Sequence, residues 1–551
     1  MPSPTSFYLI LETGIALLVL LSALAMPASA TRLFRPVERW GGRLARRRVL
    51  SLILIGCAGP VCRLLLLPIA PIPEPARHDE FSHLLAAETF ASGRLTNPTH
   101  PMWRHFETFH EDWTPTYMSM YFPAQGLVLA AGKVIFGRPW FGVCLSCGFM
   151  CGAICWMLQG WLPPGWALLG GFLALLRIGI ASYWMNSYWG GALAAAGGAM
   201  VLGSLPRLMR RPKTVHVIQM ALGLGLLANT RPYEGGLLGI AAAAILAHWL
   251  WTNRRVGTPK VFARLAWPAI AILFTIVMLM GYYNRQVFGS PLTPPYKINR
   301  ATYAVAPYFL WQSPRPEPGY RHKEMRDFYI DRELAVFLRA RTPWGLIVSS
   351  LTKIGMMLSF YYGAVLLIPF IMAGRVLRDA RVRALLFVLL FVIAGMLLNA
   401  LSSPHYQAPL AGLLYVVLIQ AMRHLRLWRA GGGSAGLLLV RIIPVTCLAL
   451  LAANCAMVLP ASGAGHARAA AQHQLEARPG KHLVIVRYAP DHDPDAVEWV
   501  YNAADVDAAK VVWARDMGTA GNQELIDYFR NRQVWVVEPD RSPTSLTLLQ
   551  K

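Results

Sequence analysis

Apolar runs separated by short basic segments extend along the chain from residue 7 to residue 459. Many of these runs approach the length of about 20 residues that a helix needs to cross a bilayer. They predict twelve spans, at about residues 7–29, 49–71, 139–159, 165–184, 190–206, 214–230, 235–252, 264–283, 345–373, 384–401, 406–422 and 437–459. The expected fold class is therefore an all-α polytopic membrane protein.

Clusters of arginine and lysine between the apolar runs indicate the orientation of these spans. Five such clusters occur, at residues 32–48, 207–213, 254–255, 375–383 and 423–429. All five lie on one side if the short run 122–137 rests on the outer surface instead of spanning. Because basic loops favour the cytoplasm, that side is the inside, and both termini then lie outside.

The predicted spans divide the chain into three parts. Residues 1–48 are expected to form an uncleaved N-terminal anchor helix and a basic cytoplasmic loop. Residues 49–459 form the main transmembrane module, with two long outer loops at 71–138 and 284–344. Residues 460–551 follow the last span and are expected to lie outside the membrane.

The tail after residue 460 has a different composition from the rest of the chain. An Ala- and Gly-rich linker comes first, followed by apolar segments at 482–488, 509–516 and 534–539 and a helical pattern at 522–532. Strand-like segments that alternate with a helix predict a small α/β domain with a partly parallel sheet. No catalytic motif is found in it, so we expect it to serve in packing or recognition.

The net charge of +24 does not indicate nucleic-acid binding. The tail is nearly neutral, with ten basic and twelve acidic residues, so the basic surplus belongs to the short loops between spans. No DNA- or RNA-binding motif accompanies it. Only 15% of the residues are charged, where a soluble protein has about 25%. The expected partners are therefore membrane lipids and lipid-linked molecules.

An acidic pair, Asp79-Glu80, follows the second span closely. The outer loop around it carries seven acidic and only three basic residues between positions 71 and 122. Two carboxylates beside a membrane surface suit chemistry on a substrate with a lipid tail. The alternative is that they merely cap the helix that starts near Phe81, because acids favour helix N-termini.

The second outer loop, 284–344, carries ten basic and five acidic residues and is rich in tyrosine, tryptophan and proline. Basic residues usually concentrate in cytoplasmic loops, so a basic outer loop is expected to bind an anion. Lipid phosphate is the obvious anion at this surface. The alternative is a solvated loop that escapes the charge rule through its length.

Four short motifs together resemble the GT-C class of membrane glycosyltransferases, which includes protein O-mannosyltransferases and the aminoarabinose transferase of lipid A. They are the acidic pair Asp79-Glu80, the element Tyr121–Gln125 at the start of the interfacial run, the turn Arg231–Gly235, and the helix junction Ser403–Pro409. The resemblance covers about residues 50–460. At Tyr121–Gln125 the class usually has a Pro-Pro-Leu pattern, so this chain departs from it there.

The resemblance implies transfer of a sugar from a polyprenyl-phosphate donor to a lipid, glycan or protein acceptor on the outer face. Asp79 would be the base or would orient the acceptor, with Glu80 supporting it. The resemblance also implies a cationic clamp for the donor phosphate. Its candidates are Arg231, Lys297 and Arg300, with Tyr233, Glu234, Tyr296, His405 and Tyr406 as further substrate-binding residues.

Two assignments have explicit alternatives. Arg231 and Glu234 could instead form an ion pair that stabilises a helix turn, although an ionisable residue at membrane depth more often serves function. Some members of the class bind a divalent cation at the acidic site, where Asp79 and His83 lie one helical turn apart. Apart from this divalent cation, the sequence indicates no cofactor.

The expected location is the bacterial inner membrane, with the active site and the tail on the periplasmic face. The competing function is a transporter or flippase of a lipid-linked glycan. Transporters usually contain paired internal repeats, and none is visible between the two halves of this chain. The acidic residues also concentrate in outer loops instead of within spans.

Overall fold

The computed structural model describes residues 4–25, 34–253, 259–429, 435–457, 467–495, 497–541 and 544–550. Helices dominate the described part of the chain. In chain order they are α1 Pro4–Ala25, α2 Arg35–Arg46, α3 Arg48–Leu65, α4 His78–Ala91, α5 Pro123–Phe136, α6 Trp140–Trp161, α7 Pro164–Ile178, α8 Ala192–Arg210, α9 Thr214–Ala228, α10 Pro232–Thr252, α11 Pro259–Phe288, α12 Lys297–Tyr303, α13 Lys323–Arg326, α14 Ala335–Ala340, α15 Pro343–Tyr361, α16 Ala373–Leu377, α17 Arg383–Leu397, α18 Ala411–Leu425, α19 Ala435–Met457, α20 Ala467–Glu476 and α21 Gly518–Tyr528.

Each of the twelve predicted spans coincides with helical structure. Among the described residues, seven helices are long and apolar enough to cross a membrane, or eight if a bent pair counts as one span. Shorter apolar helices of 10–17 residues cover the other predicted spans. The protein is therefore a mostly helical, multi-pass membrane protein, and the number of spans stays a prediction.

The centre of the membrane region is formed by α6, α8 and α18, whose apolar windows are 72%, 83% and 89% buried. Small residues let these helices approach closely, as is usual between helices in lipid. A Cβ atom added at Gly198 of α8 would lie 2.0 Å from the carbonyl oxygen of Pro409, just before α18. The Gly- and Ala-rich sequence of α8 therefore allows it to occupy the centre.

The predicted span 345–373 is interrupted in the structure. The helix α15 ends at Tyr361, and the chain turns by 110° before it continues as a 3₁₀ segment, Val365–Met372. Gly363 lies in the bend with a φ of 59°, a conformation that residues with a Cβ rarely adopt. The apolar run continues through the bend, so the sequence pattern alone indicates a single span.

The first outer loop, residues 71–138, is an ordered layer at one end of the helices. It contains α4, the two-residue strands β1 (Glu111–Asp112) and β2 (Met118–Ser119), and α5. The strands pair antiparallel, with Glu111 opposite Ser119. The helix α5 has 14 residues and packs between α4 and α6. This loop positions the acidic pair.

The tail domain, which we define as residues 467–550, is a small α/β unit, as the sequence predicts. Its strands are β3 Lys481–Val486, β4 Val511–Arg515, β5 Arg532–Glu538 and β6 Ser545–Gln550, in the order β4-β3-β5-β6. The strand β3 pairs parallel with β4 and β5, whereas β6 pairs antiparallel with β5. Part of the expected linker, from Ala467 onward, is the helix α20, and residues 458–466 lie outside the described residues.

The tail domain and the first outer loop share a hydrophobic core. Phe106, Trp113 and Tyr117 of the loop pack in one buried cluster with residues of β3, β4, β5 and α21. The Tyr117 hydroxyl donates a hydrogen bond of 3.0 Å to the carbonyl oxygen of Asn502. Burial of several aromatic side chains between two segments stabilises their relative position. The tail domain is therefore packed directly against the loop that carries the acidic pair.

The orientation can be tested by cysteine labelling in intact cells. Thr547 is exposed in the tail domain, and Thr252 is exposed at the end of α10 beside a basic cluster. In a background without the exposed Cys57 and Cys62, we expect an impermeant maleimide to label Thr547→Cys but not Thr252→Cys. Labelling of Thr252→Cys without labelling of Thr547→Cys would contradict the predicted orientation and indicate the opposite one.

Candidate functional site

A cavity of about 510 Å³ opens where the two outer loops meet the turn before α10 and the junction before α18. We call it the outer cavity. Eight of the ten candidate site residues line it, namely Asp79, Arg231, Tyr233, Glu234, Tyr296, Arg300, His405 and Tyr406. Glu80 and Lys297 do not. The structure therefore brings together residues that are up to 327 positions apart in the sequence.

Asp79 presents its carboxylate at the edge of this cavity, with 16% of its side chain exposed. The hydroxyl of Tyr121 donates a hydrogen bond to Asp79 Oδ1. His110 Nδ1 lies 3.8 Å from the same oxygen and 3.2 Å from the Tyr121 hydroxyl. Burial lowers the pKa of His110, although Asp79 opposes this effect. The carboxylate is therefore oriented mainly by an uncharged phenol.

Glu80 points away from the cavity and is 4% exposed. Its Oε2 accepts hydrogen bonds from the backbone N–H groups of Ala76 and Arg77, at 2.9 and 3.0 Å. Its Oε1 accepts one from the N–H of Tyr188, at 3.0 Å. Burial raises the pKa of the Glu80 carboxyl, and these backbone hydrogen bonds partly offset the effect. Glu80 thus ties the start of α4 to the segment after α7 and serves as a positioning residue.

His83 and Asp79 do not form a metal site by themselves. The ring of Tyr121 stacks on His83 with centroids 4.5 Å apart, while its hydroxyl reaches Asp79. Burial lowers the pKa of His83 to about 3, and its Nδ1 has no hydrogen-bond partner among the described residues. No group of three or more His, Cys, Asp or Glu side chains that could hold a metal occurs in the described part of the chain. We therefore derive no step through a bound cation.

Arg231 lies in the outer cavity without a carboxylate partner. Its Cζ atom is 4.3 Å from the ring centroid of Tyr406, a cation–π contact. Within the described ranges, no carboxylate oxygen lies within 4.0 Å of its guanidinium nitrogens. Glu234 is 5% exposed and lines the same cavity, but its carboxylate oxygens lie more than 4.0 Å from the Arg231 guanidinium nitrogens. The structure does not contain the ion pair that was the alternative for these two residues.

Two of the other three arginines that line the cavity, Arg300 and Arg332, form ion pairs with carboxylates. Arg300 Nη1 donates to Glu333 at 2.5 Å, and its Nη2 donates to the Ala306 carbonyl oxygen. Burial would lower the pKa of Arg300, but Glu333 and Tyr308 raise it above its ordinary value. Arg332 pairs with Asp495, and Arg77 donates a hydrogen bond to the Asp495 carbonyl oxygen.

Lys297 is the first residue of α12, and its side chain is exposed outside the cavity. Asn299 and Arg300, two and three positions further on, turn inward and are buried. Of the three residues predicted to form the phosphate clamp, Arg231 and Arg300 therefore line the cavity. Of the three clamp candidates, Arg231 is the one that lines the cavity without a carboxylate partner among the described residues, and Lys297 is not brought into the cavity.

Aromatic side chains cover much of the remaining wall. Tyr296 makes edge contacts with Tyr121 at 5.6 Å and with Tyr308 at 6.0 Å between ring centroids. The ring centroids of Trp189 and His405 lie 4.8 Å apart. Such rings offer apolar faces and polar edges to a ligand that has both kinds of surface. Trp189 and Tyr308 were not candidates from the sequence, where nothing distinguishes them from other aromatic residues near the membrane.

The tail domain also contributes to the outer cavity. Asp495 lines it and pairs with Arg332, and the carbonyl oxygen of Asp495 accepts a hydrogen bond of 3.1 Å from Arg77. Behind the cavity, the Tyr501 hydroxyl lies 2.7 Å from His78 Nδ1. The Tyr501 ring stacks on Phe81 at 4.2 Å. The tail domain therefore contacts α4 on both sides of Asp79 in the sequence.

The role of Glu80 predicts a separation between stability and chemistry. Glu80→Gln replaces one acceptor oxygen by an N–H₂ group that faces a backbone donor. We expect the free energy of unfolding to fall by about 1–3 kcal/mol, the cost of a buried unsatisfied polar group. Thermal unfolding of the purified protein measures this, with the exposed Glu524→Gln as the matched control. Equal stability of the two variants would contradict the positioning role.

No protein-family model and no curated protein matches this chain. Among solved structures, it is similar to ArnT from Cupriavidus metallidurans bound to undecaprenyl phosphate, with a TM-score of 0.49 and 13% identity over 88% of this chain and 92% of that chain. It is also similar to the oligosaccharyltransferase AglB from Archaeoglobus fulgidus in complex with an inhibitory peptide and a dolichol-phosphate, with a TM-score of 0.47 and 12% identity over 89% of this chain and 69% of that chain. Both TM-scores are below 0.5.

Proposed function

We propose that this protein is a GT-C-type membrane glycosyltransferase that moves a hexosyl or pentosyl group from a polyprenyl-phosphate donor to an acceptor on the periplasmic face of the inner membrane. One observation carries the proposal. A single cavity at the outer loops holds an oriented carboxylate, Asp79, and a guanidinium without a carboxylate partner, Arg231. A base and an anion site in one cavity are what transfer from a phosphate leaving group requires.

Asp79 would act on the acceptor. As the acceptor hydroxyl oxygen forms its bond to the anomeric carbon of the sugar, the hydroxyl proton passes to the Asp79 carboxylate. The bond from that carbon to the phosphate oxygen breaks, and its electron pair stays on the phosphate. The Tyr121 hydroxyl holds one carboxylate oxygen in place. No covalent glycosyl intermediate is required in this direct displacement.

Arg231 would bind the phosphate that leaves. A guanidinium matches phosphate geometry and remains charged at all relevant pH values. Placing an anion beside Arg300 or Arg332 would compete with the carboxylates of Glu333 and Asp495. Arg231 has no such competitor within 4.0 Å among the described carboxylates. Of the three clamp candidates from the sequence, we therefore assign the main contact to Arg231.

A transporter or flippase is the competing function, and the structure gives it no specific support. The carboxylates in the outer cavity belong to the two outer loops and the tail domain, namely Asp79, Glu333 and Asp495, apart from Glu234 at the start of α10. A transport path would instead place such groups near the centre of the bilayer. The acceptor, whether lipid, glycan or protein, is not specified by these residues.

The first test of this proposal is Asp79→Asn. Asparagine keeps the shape of aspartate and can still accept the Tyr121 hydrogen bond, but it cannot take up the acceptor proton. We expect sugar transfer by the purified protein to fall about a hundred-fold or more, while donor binding and thermal stability are retained. Asp331→Asn, an exposed substitution in the second outer loop, is the control. Normal turnover of Asp79→Asn would remove this residue from the chemistry.

The second test compares three variants of two basic residues, Arg231 and Lys297. Arg231→Gln removes the unpaired charge, and we expect the apparent KM for donor to rise about ten-fold or more, since a hydrogen bond to a charged group contributes about 1.5–3 kcal/mol. Arg231→Lys should recover part of this loss. Lys297→Ala changes the charge of the same face outside the cavity and should leave the KM unchanged. The assignment is wrong if Lys297→Ala weakens donor binding and Arg231→Gln does not.

A further inference from the structure

A second cavity, of about 570 Å³, lies between α1, α7, α15 and α19. We call it the α1 cavity. Arg177, near the end of α7, and Pro404, in the junction before α18, both line it. These positions belong to the ends that are predicted to face outside, and this orientation would place the cavity near the outer lipid head groups. None of its lining residues was a candidate from the sequence.

A buried ion pair forms the polar side of this cavity. Glu12 is 2% exposed, and its Oε1 accepts a hydrogen bond of 3.0 Å from Arg177 Nη1. Arg177 also donates from Nε to the carbonyl oxygen of Phe360 at 3.1 Å and from Nη2 to that of Ser359. The guanidinium is therefore engaged on three nitrogens and already balances the charge of Glu12.

Gly363 allows this ion pair to pack against the bend after α15. A Cβ atom at Gly363 would lie 2.0 Å from Glu12 Oε1 and 2.6 Å from Arg177 Nη2. The positive φ of Gly363 brings the backbone to this position. The bend and the ion pair thus fix each other, and the carboxylate of Glu12 cannot rotate freely to find another partner.

Two buried acceptor atoms in the α1 cavity have no donor. Glu12 Oε2 and Asn454 Oδ1 make no hydrogen bond with any described residue, and both side chains line the cavity. Buried polar atoms are nearly always hydrogen-bonded in native proteins. Both unpaired atoms are acceptors, so the missing partner must donate hydrogen bonds.

The rest of the wall of the α1 cavity indicates which kind of ligand supplies these hydrogen-bond donors. Leu9, Leu176, Met356, Leu450 and Leu451 supply apolar surface around the polar side. A cavity of this volume is much larger than one water molecule needs. An amphiphile with a hydrogen-bond-donating head and an apolar body fits both kinds of wall.

We propose that the α1 cavity binds a bilayer lipid through a head group that donates hydrogen bonds to Glu12 and Asn454. An ethanolamine ammonium and the hydroxyls of a glycerol head group share this chemistry, whereas a choline head group has no N–H or O–H donor. The site is separate from the transferase chemistry. It adjoins the outer cavity through Tyr183, whose hydroxyl lies 3.0 Å from His405 Nδ1.

Native mass spectrometry of the purified full-length protein tests this proposal. The protein is titrated with phosphatidylethanolamine, phosphatidylglycerol and phosphatidylcholine that carry the same acyl chains. We expect at least one of the first two lipids to bind about five-fold or more tightly than phosphatidylcholine. A preference for ethanolamine identifies an ammonium donor, and a preference for glycerol identifies hydroxyl donors. Equal binding of all three lipids would overturn the proposal.

Variants then locate the bound lipid. Asn454→Leu removes one acceptor and leaves the ion pair intact, so it should reduce the preference to the level of phosphatidylcholine. Glu12→Gln removes the carboxylate and provides a second variant if Asn454→Leu does not fold. Gln219→Leu is the matched control, because Gln219 lines a different cavity of about 570 Å³. A preference that persists in both Asn454→Leu and Glu12→Gln would also overturn the proposal, whatever the transferase activity.

Discussion

The arrangement of the outer cavity depends on one buried carboxylate. Glu80 accepts three backbone hydrogen bonds, two from the residues that precede α4 and one from Tyr188, which lies 108 positions further along the chain. A buried carboxylate is stable only when such donors satisfy it. Because Glu80 fixes the first turn of α4, the adjacent Asp79 must project into the cavity.

The tail domain adds a second constraint on the same helix. Its core continues into the first outer loop through Phe106, Trp113 and Tyr117. Tyr501 contacts His78 and Phe81, the residues that flank the acidic pair. Asp495 brings the domain to the cavity wall itself. The sequence suggested packing or recognition for this domain, and its contacts show that it packs directly against the candidate site.

Patterns of local origin could be predicted from the sequence. The apolar runs located the helices, and the alternating segments of the tail located β3, β4 and β5. The acidic pair was also visible, because it follows an apolar run directly. The different roles of Asp79 and Glu80 were not, since they depend on Tyr121 and on Tyr188, which are distant in the sequence.

Other features depend on tertiary contacts in the same way. Lys297 and Arg300 have equal charge and lie three positions apart, but α12 buries one and exposes the other. The bend at Gly363 lies within a continuous apolar run and coincides with a buried ion pair from two other helices. Asp495 belongs to a polar segment that carries no recognisable motif. These three features depend on contacts with residues that are distant in the sequence, so sequence patterns alone do not predict them.

A structure of the protein with a bound polyprenyl phosphate tests the roles proposed for Arg231 and Asp79. We expect phosphate density in the outer cavity within hydrogen-bonding distance of the Arg231 guanidinium, with the Asp79 carboxylate facing the same space. Phosphate density beside Arg300 or Lys297, or outside this cavity altogether, with Arg231 left without a ligand, would contradict these roles.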